Sequence, residues 1–226
     1  MQNLTLMHGG TVKRGMYGHI ETGGRVFVEP GTHFQSMHVT GDLICANICG
    51  GTLVIDGSFQ LPTGELKTGS LSGQGRILGE GSIRTARLDF KGLIRTEGDI
   101  VVKQTLKFTG LMEGQRWVAA RQIDILGVVQ AQTMLASNVT IRNMHPKVVP
   151  LEHVKWMVRA SRVPMIICRE ANIHRCGCHL LQAYEAELRE GSLVREAVCL
   201  TTLTMDQSSA AVLIQGGPKR KHVAGH

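Results

Sequence analysis

A chain of 226 residues, 42% of them hydrophobic, can build one large domain or two small ones. Only 4% of residues are aromatic while glycine numbers 27, so the expected core is aliphatic and the turns tight. A formal charge of +7 favours an anionic partner surface, but the recognition motifs and interleaved aromatics of a nucleic-acid reader are missing, and no nucleic acid is expected as partner.

No stretch approaches the ~18 consecutive apolar residues of a membrane-spanning helix, and the opening "MQNLTLMHGGTVKRG" lacks the apolar centre of a secretory signal. A cytoplasmic location is expected, in which the six cysteines are free thiols. Residues 1–20 are expected to form a flexible arm. Leu4, Leu6 and Met7, followed by Lys13 and Arg14, give it a weak membrane-touching pattern.

From residue 21 short apolar alternations begin, at Val26/Val28, then Ile44, Ala46 and Ile48, then Leu53/Ile55. That register would turn Cys45 and Cys49 outward, and neither has a partnered base in the sequence. A looser stretch covers 60–80. Within it "GQGRILGEG" has neither the glycine spacing nor the following lysine and serine of a phosphate loop.

The pattern then becomes regular. The pairs Leu88/Phe90, Leu106/Phe108, Ile123/Ile125 and Val139/Ile141 recur at steps of ~18, ~17 and ~16 residues, as short strands do when a structural repeat returns them to one place. Between them Ile94, Ile100, Leu106 and Met112 stand six apart, and further alternations run through Thr96, Gly98 and Val102, then Gly114, Trp117 and Ala119. About three short strands fit each period. A three-sided parallel β-helix satisfies this: each side takes about six residues and inward side chains pile into ladders. One such coil buries too little to fold alone, so each depends on its neighbours, and the two terminal coils offer an open strand edge to another copy of the chain.

Residues 144–165 break the rhythm. Pro146, Pro150 and Pro164 bracket Leu151, Val154, Met157 and Val158, spaced like the buried side of a short helix, so a helical or looped insert is expected there. Alternation resumes over 166–214 at Cys176, Cys178, Leu180, Tyr184, Ala186 and Leu188. "CREANIHRCGCH" (168–179) concentrates residue types that bind zinc, but it lacks CxxC spacing and its cysteines share the core alternation; they are read as small buried side chains, with no metal site. Residues 215–226, with "PKRKH", are expected to be a basic flexible tail.

The stretches 39–59 ("VTGDLICANICGGTLVIDGSF"), 79–102 and 106–143 share a cadence of glycine, apolar residue, small residue, then an apolar pair followed by glycine. In this the chain resembles the bactofilins, polymer-forming cytoskeletal proteins of bacteria. The resemblance implies an all-β, right-handed three-sided parallel β-helix over 21–143 and 166–214. It further implies assembly without nucleotide into filaments that scaffold cell-shape, envelope or motility machinery at the inner face of the cell membrane. The partners implied are other copies of the chain, a sister family member and the membrane surface, with no catalysis, cofactor or small-molecule substrate. Val26, Val28 and Phe34 in the first coil, and Leu203, Met205, Val212 and Ile214 in the last, are the candidate self-assembly residues. The alternative is a trimeric hexapeptide acyltransferase, which needs a histidine base; His33, His38, His145 and His153 are candidates by residue type alone.

Overall fold

The computed structural model describes residues 2–144 and 159–223. Among these the chain is all-β, 77% strand without helix, wound into a parallel β-solenoid of about twelve turns. Every strand pairing is parallel and joins one coil to the next. Leu88 pairs with Leu106, Leu106 with Ile123 and Ile123 with Val139, the ladder expected from the repeat. It extends back through Leu71, Leu53, Met37 and Ile20 to Leu4, and forward through Ala171, Ala186 and Leu203 to Arg220.

The interval of six has a direct cause. Ile94, Ile100, Leu106 and Met112 are each fully buried, and successive members sit on successive sides of the coil. On the first face Ile48, Leu66, Ile83, Ile100, Val118 and Met134 stack inward; on the third, Val26, Leu43, Phe59, Ile77, Ile94, Met112 and Val129 do so. Burial of these ladders against one another supplies the hydrophobic stabilisation that no single coil can supply.

Alternation is reset at each corner, and this corrects several sequence expectations. Cys45 is buried while Ile44 is only half-buried, because the corner at Ala46 and Asn47 puts Cys45 and Ile48 both inside. Cys49 alone of the two is half-exposed. Trp117 and Ala119 face outward and Val118 and Ala120 inward; Leu180 and Tyr184 likewise face outward beside buried Leu181 and Ala183. The loose stretch 60–80 is a full coil, strand Glu65–Gly79, whose inward positions include Thr68 and Gly73 and so escape an apolar pattern.

One corner is a column of glycines. Gly92 and Gly110 have φ of 126° and 137°, and a Cβ on either would lie 2.1 or 2.0 Å from the carbonyl oxygen of the glycine one coil below. Backbone thus stacks on backbone with no room for a side chain. The column ends at Gly127. Since Leu126 pairs with Arg142, the next residue in it is Asn143, and the expected insert leaves the coil there. The coil is taken up again by Gln130 pairing with Arg162. The expected insert therefore ends earlier than residue 165, since Ser161 and Met165 already belong to strands; Leu151, Val154, Met157 and Val158 lie outside the described residues. Asn138 stacks on Glu170 across the interruption, so the later coils continue the earlier stack.

The core changes character on the way. Phe59, Phe90 and Phe108 fill the middle coils, whereas Ala171, Ala183, Ala186 and Ala197 with Cys168, Cys176, Cys178 and Cys199 fill the later ones. Both termini are also more ordered than expected. The expected arm contains strands Gln2–Leu6, Gly10–Val12 and Met16–Thr22, and the expected tail contains Lys219–Val223, each paired to the adjoining coil.

Gly110→Ala is expected to destabilise the protein by about 2–4 kcal/mol, combining a forbidden φ with a backbone overlap. Thermal denaturation followed by circular dichroism checks this; an unchanged midpoint would mean that the corner tolerates a side chain.

Candidate functional site

The ends of the solenoid are where this fold leaves backbone hydrogen-bonding groups and apolar surface without a neighbouring coil. At the first end, strand Gln2–Leu6 pairs only with Met16–Thr22, and Gly10–Val12 only with Arg25–Val28, which leaves their other edges open among the described residues. Leu4 and Leu6 point toward the core and are half-buried against it, and Met7 at the corner is exposed. From Gln2 to Val12 there is no Asp, Glu, Lys or Arg. The core-facing side of this tip, Leu4, Leu6 and Val12, is aliphatic, and its basic side chains, His8, Lys13 and Arg14, stand outside it.

The other end is different. Leu203 and Met205 are buried because strand Lys219–Val223 lies over them, with Arg220 on Leu203 and His222 on Met205. Arg220 and His222 thus stand at core-facing positions of the last rung, and Lys219 and Lys221 at the outward ones, all four exposed. Ala211 and Ile214 of the neighbouring strand are half-buried against the core. An inward-pointing charge on an end strand opposes further pairing, because stacking another coil there would bury it.

The residues expected at the assembly interface are mostly covered. Val26 and Val28 lie beneath Gly10 and Val12, and Phe34 beneath Tyr17, each almost fully buried. Leu203 and Met205 are likewise one rung inside the end. Val26, Val28, Phe34, Leu203 and Met205 were expected one coil too far out, because the termini expected to be flexible are themselves strands of the end coils. Ile214 is at the last rung, and Val212, 84% exposed, faces outward beside an apolar groove of about 490 Å³ lined by Pro164, Gly177, Leu193 and Ala210. The expected membrane contact is divided too: Leu4 and Leu6 turn inward, while Lys13 pairs with Glu29 at 2.8 Å and the Arg14 backbone N–H donates to the same carboxylate.

The signal for the second tip was present in the sequence. Arg220 and His222 follow Leu203 and Met205 at the solenoid's own step, so periodicity carried past the apolar residues would have placed them.

The cysteine-rich segment is divided between inside and outside. Cys168, Cys176 and Cys178 are buried, whereas the His174 imidazole bonds Glu190 (3.0 Å) and Asn172 (2.9 Å) and His179 is exposed. Among the described residues no three His, Cys, Asp or Glu side chains converge as a metal site would require. Burial pushes the thiols of Cys45, Cys168, Cys176 and Cys178 up to about 12, and that of Cys199 to about 11. They are neutral packing groups at physiological pH. Of the histidines weighed as bases, His33 is exposed, His38 Nε2 meets Asp56 at 3.0 Å on an outer surface, and His145 and His153 lie outside the described residues.

A water-soluble maleimide is expected to label Cys49 alone in the folded protein and the other five cysteines only on unfolding, read by mass spectrometry. The raised thiols contribute stability that is complete below the ordinary value of 9.0 and is lost as pH climbs toward about 12, so the thermal midpoint should fall over that window. The fall should be shallower in Cys176→Ala. Comparison with family models, with curated proteins and with solved structures gave no match.

Proposed function

We propose that the chain is a self-assembling scaffold of the bactofilin kind, joining copies through coil ends without nucleotide and without catalysis. The observation that carries this reading is the first coil: an open parallel edge over a half-buried apolar floor, with no charged side chain from Gln2 to Val12. Two such tips can meet with no charged side chain at their core-facing positions, Leu4, Leu6 and Val12, and the core then continues from one copy into the next. Joining this tip to the opposite end of another copy would instead place Arg220 and His222 over Leu4 and Leu6, charge against aliphatic surface with no compensating carboxylate.

Growth at the second end is therefore the costlier step, and it is governed by ionic strength. Four cationic or protonatable side chains at one rung repel their counterparts on a second copy, and salt screens exposed charges over about a Debye length. Pairing through the first tip is the expected product at low salt, with longer assemblies as salt is raised.

Electron microscopy and sedimentation of the purified protein test the reading. Leu4→Lys/Leu6→Lys, which copies onto the first tip the inward charge of the second, should abolish pairing while leaving the thermal midpoint within a few degrees. Arg220→Leu/His222→Leu should lengthen the assemblies at low salt. A chain that stays monomeric at every salt concentration, or a trimer that binds an acyl donor, would overturn the scaffold assignment.

A further inference from the structure

The first face of the solenoid changes its chemistry along the axis. In the earlier coils its outward positions hold Glu65, Lys67 and Arg84, joined in ion pairs. From Val101 onward most of them are apolar, with Thr133, Gln182, Glu196 and Gln215 as the polar members. One outward column runs Val101, Ala119, Leu135, Ile167 and, after Gln182, Val198, each half-buried. The parallel column runs Trp117, Thr133, Met165, Leu180, Glu196 and Leu213, with Trp117, Met165 and Leu213 exposed at 45%, 36% and 49%. At ~4.8 Å per coil these rungs span about 29 Å of flat sheet. Glu196 is the one charged side chain in the two columns, and it accepts a bond from Gln215 Nε2 at 3.0 Å.

Cations border this apolar strip. Along one corner Arg121 and Arg169 stack through the intervening Ser137, followed by exposed Tyr184; along the other stand Arg116 and Arg195. Arg116 lies 3.8 Å from Asp99, and no ion pair engages Arg121, Arg169 or Arg195 among the described residues. An apolar strip of this extent on an outer sheet face marks a contact surface. Its border decides the partner. A second copy laid on the face would bring cation against cation along both edges, and a nucleic acid would meet aliphatic carbons where it needs donors. Headgroups of anionic lipid match the border, while the acyl boundary matches the strip, with Trp117 and Tyr184 at the level where amphipathic rings settle.

We propose that this face, from Val101 to Leu213, seats the solenoid on the surface of an anionic lipid bilayer. It lies toward the opposite end of the molecule from Leu4 and Lys13, where the sequence pattern placed a membrane contact, and it does not require the tips. Side-by-side copies joined through their ends would hold the bilayer by avidity even where one face binds weakly.

Flotation with phosphatidylcholine vesicles, with and without phosphatidylglycerol, tests it, since protein assemblies without lipid do not float. The full chain should float only with the phosphatidylglycerol vesicles, and less as salt rises. In a Trp156→Phe background, Trp117 emission should shift to the blue on binding. Arg169→Gln should weaken binding about fivefold, and Ile167→Glu or Leu135→Glu, both on outward side chains, should abolish it with the thermal midpoint retained. Leu4→Lys/Leu6→Lys should still bind, which separates a failure of tip assembly from a failure of this face. No flotation with either vesicle, equal binding by Ile167→Glu, or a lateral dimer that Ile167→Glu dissolves without lipid would each overturn the proposal.

Discussion

Every inward side chain of this protein rests on the one a coil below it, and that stacking is the constraint on which the rest depends. A coil of about seventeen residues cannot bury enough apolar surface to offset the entropy of ordering itself, so the structure exists only as a continuous column. Continuity is kept across residues 145–158: Asn138 still finds Glu170 above it, and Gln130 finds Arg162. It explains the glycine column, since corners that stack backbone on backbone fix both where the chain turns and how closely the coils approach.

A column must end, and the two ends resolve the unpaired edge in opposite ways. The first leaves Leu4 and Leu6 beneath an uncharged edge. The last places Arg220 and His222 where core residues would stand, so an added coil would have to bury charge. Among the described residues the fold is open at one end and guarded at the other, and the difference rests on a few side chains. In the proposed scaffold this difference would set a direction of preference in joining, with electrostatic repulsion deciding which contact forms first.

The faces are free of this constraint because outward side chains do not hold the column together. They vary from coil to coil, from the ion pairs around Glu65 to the aliphatic strip around Ile167. Outward and end positions can therefore be altered separately by substitution, which is what allows the two proposals to be tested apart.

The repeat was legible in the sequence from Leu88 to Ile141 because there large apolar side chains occupy nearly every inward position. It was illegible where inward positions are small or polar, as at Gly73, Cys176 and Arg220, and where outward positions are apolar. Met165, Ile166 and Ile167 are one unbroken apolar run, of which only Ile166 is buried. By itself the sequence determined the solenoid, its period and its aliphatic core, since these follow from spacing along the chain. Which residues form the tips, which cysteines lie inside and which apolar side chains face solvent were decided by the tertiary structure, because a residue's side of the sheet is set by pairing with the coil beneath it and by corners that reset the alternation.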